Sequence, residues 1–263
     1  AFNNLPAEID FAYRATHVVT VAAKAIIAGY YGRPATRAYF RGCSTGGRQG
    51  LVEAQRFPGD FDGIIAGAPV LDETGVAGLH LMWSGQANLD AEGRPLLEPV
   101  HVELLHAAVL KACDGQDGRR DGILDDPRRC TFDPAALACP GEAAATTCLT
   151  AGQQAAARRI YAGATNSRGE KLFAGGMSRG SEYEWVPNFV GRNGPAVFAP
   201  GGPIRELYQY LMFMPDPGPN APVTTFDFDT DPPRLALMET LYTAQNPDLA
   251  AFRDRGGKLI LYH

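Results

Sequence analysis

RAYFRGCSTGGRQGLVEAQRFPGDFDGIIAG, residues 37–67, carries the strongest fold signal in the chain. The pattern predicts a short strand over 37–41, a glycine-rich turn, a helix over 45–57 and an apolar strand over 61–67. A strand, a helix and a strand in this order form a βαβ unit, whose two strands run parallel in one sheet. The sequence therefore predicts an α/β fold.

The turn inside this unit reads Gly42-Cys43-Ser44-Thr45-Gly46, which fits the G-x-S-x-G pattern of a nucleophilic serine. Such a serine occupies a strained strand-to-helix turn, so the residues two positions away must be small for the backbones to pass. The helix that follows directs free N–H groups at a bound ester, and the Thr45 N–H would be one oxyanion donor. The alternative is a glycine-rich turn with a structural role alone. The flanking strand and helix favour Ser44 as a nucleophile.

A nucleophilic serine also needs a general base and a carboxylate that orients the base. The chain has five histidines, and none is a convincing base for Ser44. His17 precedes the serine on a predicted helix, where a structural role is expected. His263 ends a predicted strand, and the acid of such a triad, rather than the base, is expected shortly afterwards. The other three, all beyond residue 70, are His80, His101 and His106.

Helical spacing of apolar residues recurs on both sides of the βαβ unit. Residues 8–31 form one predicted helix, which Gly32 would end as a C-cap. Three further helices are predicted over 99–112, 149–162 and 246–256. An apolar run over 258–262 predicts another buried strand.

The stretch 174–230 is rich in glycine, proline and aromatic residues and shows no sustained period. It is too long for an ordinary loop in a compact domain, which is typical of a lid or a binding module. We therefore predict part of a core over 1–70, a lid domain over 71–245 and a return to the core over 246–263.

The composition excludes two classes of partner. The 263 residues carry a formal net charge of −5 and no basic run, which argues against nucleic acid. No stretch approaches the roughly 18 apolar residues of a membrane-spanning helix, which argues against insertion in a membrane. The sequence carries no signal for an oligomeric state.

Four of the five cysteines fall within 36 residues: Cys113, Cys130, Cys139 and Cys148. Such clustering predicts two local disulfides and an oxidising compartment, so that the protein would be secreted or periplasmic. A zinc site is the alternative, but the chain has no C-x-x-C pair near these cysteines. Cys43 is the odd cysteine and lies beside the proposed nucleophile.

The block GCSTGGRQGLVEAQRFPGDFDGIIAGAP, residues 42–69, resembles the tannase and feruloyl esterase family. The resemblance extends from DFAYRATH (10–17) and YYG (30–32) to GGKLILYH (256–263), which is nearly the whole chain. It implies an α/β-hydrolase core with an inserted lid, and hydrolysis of esters of aromatic acids through an acyl-enzyme on Ser44. The acids would be of the feruloyl, galloyl or terephthaloyl type.

The resemblance also implies that parts of the catalytic machinery lie outside these residues. In the family, a loop after the strand ending in LYH carries the catalytic Asp, and the His comes later. A second oxyanion donor is expected upstream of Ala1, and Cys43 would pair with a cysteine next to the catalytic His. Together with the abrupt opening and the strand-like end, this leads us to expect a chain truncated at both ends.

An acidic loop, CDGQDGRRDGILDDPRRC, spans residues 113–130. Oxygen-bearing side chains on a tight glycine-rich loop suit a hard cation such as Ca²⁺, although a solvated acidic turn fits the spacing equally well. The family resemblance implies a structural calcium ion in the lid. The implied ligands are the Asp114, Asp117 and Asp121 side chains and the Arg119 and Ile123 carbonyls. It also implies that disulfides Cys113–Cys130 and Cys139–Cys148 close this loop and the next one.

Two aromatic segments, YEWVPNF (183–189) and LYQYLMF (207–213), could line a pocket for an aromatic acyl group. Trp185 is the single residue we predict in that role, and a place in the core of the lid is the alternative for any one of these residues. Two other functions stay open at this point. They are a non-catalytic binding protein of hydrolase fold, and a serine hydrolase of another substrate class such as a peptidase.

Overall fold

The structure is a computed structural model that describes residues 2–141, 146–191 and 193–263. Its residues form two compact units. The first unit comprises Ala1–Val76, Tyr210–Asp216 and Leu235–His263, and the second comprises Ala77–Gln209 and Pro217–Arg234. The predicted ranges 1–70, 71–245 and 246–263 stay a prediction. No helix among the described residues has the length and apolar character that a membrane crossing requires.

A three-stranded parallel sheet forms the centre of the first unit, in the order β1-β2-β3. The strands are β1 (Tyr39–Cys43), β2 (Gly63–Gly67) and β3 (Lys258–Tyr262). Tyr39 pairs with Gly63, and Gly63 with Lys258, so the carboxyl ends of all three strands lie at one edge. The helix α3 (Thr45–Arg56) connects β1 to β2 and completes the predicted βαβ unit. The predicted α/β class is confirmed.

Three other helices of the first unit are α1 (Leu5–Ile9), α2 (Ala15–Tyr31) and α8 (Ala236–Tyr242), and α9 (Ala250–Asp254) precedes β3. A π-helical turn, Asp10–Arg14, joins α1 to α2, where the sequence predicted one continuous helix. Gly32 ends α2 with a left-handed backbone (φ 69°), as predicted for a C-cap.

One face of the sheet is covered and the other is open. Alternate residues of a strand point to opposite faces. Ile64 of β2 is buried against α3 with Leu51, Val52 and Phe61, and Phe252 of α9 joins this core. The other face carries Tyr39, Arg41, Ile65 and Ile260, of which Tyr39 is 73% exposed and Ile260 58% exposed. The covered face therefore fixes the position of α3 and of the turn that precedes it.

The second unit is built from short helices and irregular segments. Its longer helices are α4 (Met82–Ala87), α5 (Pro99–Cys113), α6 (Ala151–Ala162) and α7 (Pro203–Tyr210). Helix α6 begins where the sequence dictates, because the Thr150 hydroxyl accepts the Gln153 N–H and the Gln153 side chain accepts the Thr150 N–H. Helix α5 begins with a proline, whose fixed φ and missing N–H suit the first position of a helix.

Two disulfides, Cys113–Cys130 and Cys139–Cys148, join the predicted cysteines. Their Cα atoms lie 5.5 and 4.9 Å apart, within the range of unstrained disulfides. Cys43 is the free and exposed cysteine among the described residues.

Candidate active site

Ser44 lies between the carboxyl end of β1 and the first residue of α3. Its backbone has φ 58° and ψ −121°, a conformation that side-chain-bearing residues rarely adopt. The Ser44 N–H donates to the Gly67 carbonyl at 3.0 Å, and the Ser44 carbonyl accepts the Arg48 N–H at 3.0 Å. Ser44 is exposed. The strained strand-to-helix turn predicted from the motif is therefore present, with its side chain open to solvent.

Close backbone contacts explain why glycine stands at two of the three positions around Ser44. A Cβ on Gly42 would lie against the Gly46 carbonyl, and a Cβ on Gly47 would lie against the Gly67 carbonyl. Both distances would be below the 3.0 Å that real Cβ atoms keep. A Cβ on Gly46 would meet nothing outside its own helix. The expectation that Gly46 must be small is therefore wrong, because Gly47, one position further, makes the close approach to β2.

Thr45 is the first residue of α3. The first N–H groups of a helix have no partner inside it, and the helix dipole adds positive potential at that end. The Ser44 side chain does not cap the helix, so it does not compete for these donors. The Thr45 N–H lies next to the serine at the N-terminus of α3, and its role as an oxyanion donor stays a prediction.

Four of the five histidines are engaged by groups other than Ser44. Their partners are Asp60 for His17, the Gly175 carbonyl for His80, the Glu98 N–H for His101 and Glu182 for His106. His263 follows β3 and is exposed. Neighbouring strands lie about 4.8 Å apart, so the end of β3 is roughly 10 Å from the end of β1 across the sheet. Within the described part of the chain, no hydrogen bond joins these histidines to the Ser44 hydroxyl.

Arg48, one helical turn after Ser44, is a residue whose role the sequence did not indicate. Its side chain is fully buried and donates to the carbonyls of Ala12 and Tyr242 at 2.9 and 3.4 Å. Its Nε lies 3.4 Å from the Glu73 carboxylate. Burial lowers the pKa of Arg48 and raises the pKa of Glu73, while Arg48 opposes that rise. A buried arginine has no periodic signature in a sequence, which explains why it was missed.

A second buried polar cluster lies where the start of α2 meets the loop after α3. His17 Nδ1 is 2.6 Å from Asp60 Oδ2, and the His17 ring stacks on Phe57 at 4.0 Å. Glu53 is buried, and burial and then the charge of Asp60 raise its pKa to about 8. No donor among the described residues reaches the Glu53 oxygens, but a protonated Glu53 can donate to Asp60. His17 is therefore engaged by Asp60 and Phe57, and its structural role stays a prediction.

The acidic loop folds back on itself. The Gly122 N–H donates to Asp114 Oδ1 at 3.0 Å, and left-handed glycines at 118 and 122 allow the reversal. Asp117 and Asp121 each accept the N–H two residues later, from Arg119 and Ile123. The three carboxylates do not form a cluster within 4.8 Å; among the described residues, His17, Glu53 and Asp60 do. The loop thus places oxygen-bearing side chains along one reversal of the chain, which the Cys113–Cys130 disulfide closes. Its donor set suits calcium.

Trp185 is fully buried in the second unit. Its ring packs against Tyr161 and Phe189, with centroids 5.1 and 5.7 Å away. Its indole N–H points to the Ser181 hydroxyl at 3.4 Å. These are the contacts of a core residue, and the substrate contact suggested for Trp185 stays a prediction.

Comparison with known proteins agrees with this geometry. The profile of the family "Tannase and feruloyl esterase" matches residues 1–263. A mono(2-hydroxyethyl) terephthalate hydrolase from Piscinibacter sakaiensis is 37% identical, with 98% of this chain and 50% of the relative covered. A probable feruloyl esterase B-2 from Aspergillus flavus is 33% identical, with 100% of this chain and 48% of the relative covered.

A solved structure shows the same fold. Feruloyl esterase B from Aspergillus oryzae superposes with a TM-score of 0.79 at 28% identity, over 97% of this chain and 49% of that one. The chain thus spans about half the length of the relatives it matches. The family profile covers every residue, and the block around Ser44 carries the predicted elbow. The chain therefore belongs to the tannase and feruloyl esterase family.

Proposed function

We propose that the protein hydrolyses carboxylic esters of aromatic acids, with Ser44 as the nucleophile. The observation that carries the proposal is the conformation of Ser44. It is an exposed serine with a left-handed backbone, between a parallel strand and the N-terminus of a helix. Backbone strain of this kind persists where the surroundings over-determine it, and it clusters at active sites.

The mechanism begins with attack of Ser44 Oγ on the ester carbonyl carbon. The carbonyl oxygen takes the negative charge and is stabilised by the Thr45 N–H at the start of α3. Collapse of this intermediate expels the alcohol and leaves the acyl group on Ser44, and water then releases the acid. A histidine paired with a carboxylate would take and return the proton.

The class of acid follows from the relatives. Ferulate and terephthalate are both aromatic carboxylates, and their esters are named in the two relatives above. Ferulate has a propenoic spacer between ring and ester, whereas terephthalate carries the ester on the ring. We therefore propose an aromatic acyl group and leave its spacer open to experiment.

A binding protein of hydrolase fold is the second candidate. It is favoured by one observation, namely that no histidine among residues 2–141, 146–191 and 193–263 hydrogen-bonds Ser44 Oγ. Such a protein would bind aromatic esters without turnover.

Hydrolysis of methyl ferulate, methyl benzoate and methyl butyrate separates the two candidates. The assay uses the whole protein that carries this chain, with Ser44→Ala as the blank. We expect turnover of the aromatic esters in preference to the butyrate, and a loss of at least about a thousandfold in Ser44→Ala. Binding of methyl ferulate without turnover in the wild type would support the second candidate instead.

We also propose a structural calcium ion in the acidic loop. Asp114, Asp117 and Asp121 would supply carboxylate oxygens, and the Arg119 and Ile123 carbonyls would complete the set. Support comes from the hydrogen bond that brings residue 122 next to Asp114 and from the disulfide that closes the loop. The ion would stabilise the second unit and take no part in the chemistry.

The two disulfides support an oxidising compartment, since such bonds rarely persist in the cytosol. We propose that the protein acts outside the cytoplasm, as a secreted or periplasmic enzyme. Its partner would be a small aromatic ester, with no nucleic acid and no membrane involved.

A further inference from the structure

The strained turn at Ser44 is held from both sides by backbone hydrogen bonds. On one side, the Ser44 N–H donates to the Gly67 carbonyl of β2 at 3.0 Å. On the other, the Ser44 carbonyl accepts the Arg48 N–H at 3.0 Å, which is the first hydrogen bond of α3. The sheet fixes the first contact. The second hydrogen bond depends on the position of the Arg48 backbone.

The Arg48 side chain anchors that position to three segments of the first unit. Its Nη1 donates to the carbonyls of Ala12 and Tyr242, and its Nη2 donates to the Phe11 carbonyl at 3.4 Å. The rings of Phe11 and Tyr242 lie 5.4 and 5.8 Å from the guanidinium carbon. Glu73 supplies the counter-charge at 3.4 Å.

Arginine suits this position because its planar group presents five donors in a fixed fork. The carbonyls of Phe11 and Ala12 belong to the π-helical turn Asp10–Arg14, whose wider i→i+5 pattern departs from the regular helix. Lysine carries one compact ammonium group, which cannot span the same carbonyls. The guanidinium therefore joins the start of α3 to this turn and to the end of α8.

We propose that Arg48 is a positioning residue for the nucleophile: its buried guanidinium fixes the first turn of α3 and, through the Arg48 N–H, the backbone of Ser44. The proposal rests on the proposed function, since it assigns Arg48 to the same reaction. It does not place Arg48 in contact with substrate.

Arg56 provides a matched control on the same helix. It also donates to two carbonyls of α8, those of Thr240 and Leu241, at 3.1 and 3.2 Å. Its guanidinium also packs on an aromatic ring, that of Tyr13 at 4.5 Å. It is exposed and lies at the far end of α3 from Ser44. Arg56→Lys therefore removes a similar set of guanidinium contacts and leaves the first turn of α3 unchanged.

The test compares wild type, Arg48→Lys and Arg56→Lys in the whole protein that carries this chain. A p-nitrophenyl phosphonate labels the serine, and methyl ferulate gives kcat and KM. The end point of labelling counts folded sites, whereas its rate reports the position of Ser44. For Arg48→Lys we expect a full end point, a labelling rate and kcat about ten- to a hundredfold lower, and a nearly unchanged KM. Arg56→Lys should keep all four values.

Wild-type labelling rate and kcat in folded Arg48→Lys would overturn the proposal. If Arg48→Lys gives a low end point, the double variant Arg48→Gln/Glu73→Gln removes both buried charges at similar volume. It should show the same slow labelling at a full end point, and a wild-type rate would again overturn the proposal. Absence of labelling at Ser44 in the wild type would overturn the proposed function, and this inference with it.

Discussion

At the scale of single residues, the glycines around Ser44 give a direct test of the elbow. Gly47→Ala places a Cβ against the Gly67 carbonyl, so we expect a loss of about 1–3 kcal/mol in the free energy of unfolding. Gly46→Ala places its Cβ in open space, and alanine is the better helix former by about 1 kcal/mol. It should be neutral or slightly stabilising. Chemical denaturation of both variants measures the difference, and equal stabilities would contradict the assigned geometry.

Glu53 predicts a pH dependence of stability. Its pKa is about 8 in the folded protein against a usual 4.5, because burial and the charge of Asp60 disfavour the carboxylate. The folded state therefore holds a proton that the unfolded state releases, and stability falls as pH rises from 4.5 through 8. The effect is on the order of a few kcal/mol.

Glu53→Gln keeps the volume and a donor toward Asp60 but does not titrate. The midpoint of thermal unfolding, followed from pH 5 to 9, should therefore fall less in Glu53→Gln than in the wild type. Glu239→Gln, an exposed glutamate of the same unit, serves as control and should follow the wild type. Parallel curves for wild type and Glu53→Gln would show that Glu53 is ionised in the folded state.

The sequence identified the features of the turn that depend on the neighbours of Ser44 in the chain. It did not identify the residues that hold this turn through contacts with distant segments. The motif predicted the strained serine and the Thr45 N–H, because both depend on local backbone geometry. Gly47 and Arg48 act through contacts with β2, the π-helical turn and α8, which are distant in sequence. Such contacts leave no local pattern.

At the scale of elements, the acidic loop predicts a response to chelation. A ligand bound only by the folded state stabilises it by mass action, so removal of calcium should lower the unfolding midpoint of the second unit. Scanning calorimetry with and without EGTA measures this effect. Asp114→Asn should abolish the response, whereas Asp133→Asn should keep it, because Asp133 lies outside the loop and pairs with Arg158 at the surface. An unchanged midpoint in EGTA would speak against a bound ion.

Elements with strong periodicity were predicted well, and short ones less so. Helix α3 was expected over 45–57 and spans Thr45–Arg56, and α5 was expected over 99–112 and spans Pro99–Cys113. Strand β1 was expected over 37–41 but is Tyr39–Cys43, because pairing with β2, rather than alternation, sets its ends. Helix α7 was missed, since its eight residues lie in a stretch rich in glycine and proline.

At the scale of the whole molecule, the sequence predicted the strands of the sheet but not their complete order β1-β2-β3. The βαβ unit implied that β1 and β2 are parallel neighbours, as observed. The apolar run over 258–262 implied a further strand, which is present as β3. The expectation that this strand is buried is wrong, because β3 lies at the edge of the described sheet and most of its residues are exposed. Its place beside β2 follows from the pairing of Gly63 with Lys258, which no local pattern encodes. The division into units likewise depends on long-range packing. The segment Tyr210–Asp216 joins the first unit although it lies within the predicted lid range.

Trapping of the acyl-enzyme tests the central claim most directly. The whole protein that carries this chain is mixed with an activated ester of ferulic acid, quenched in acid within milliseconds and digested for mass spectrometry. We expect the feruloyl group on the peptide that contains Ser44, at a rate that accounts for turnover, and no such adduct in Ser44→Ala. A feruloyl adduct on another residue, or full turnover by a folded Ser44→Ala protein, would contradict the account.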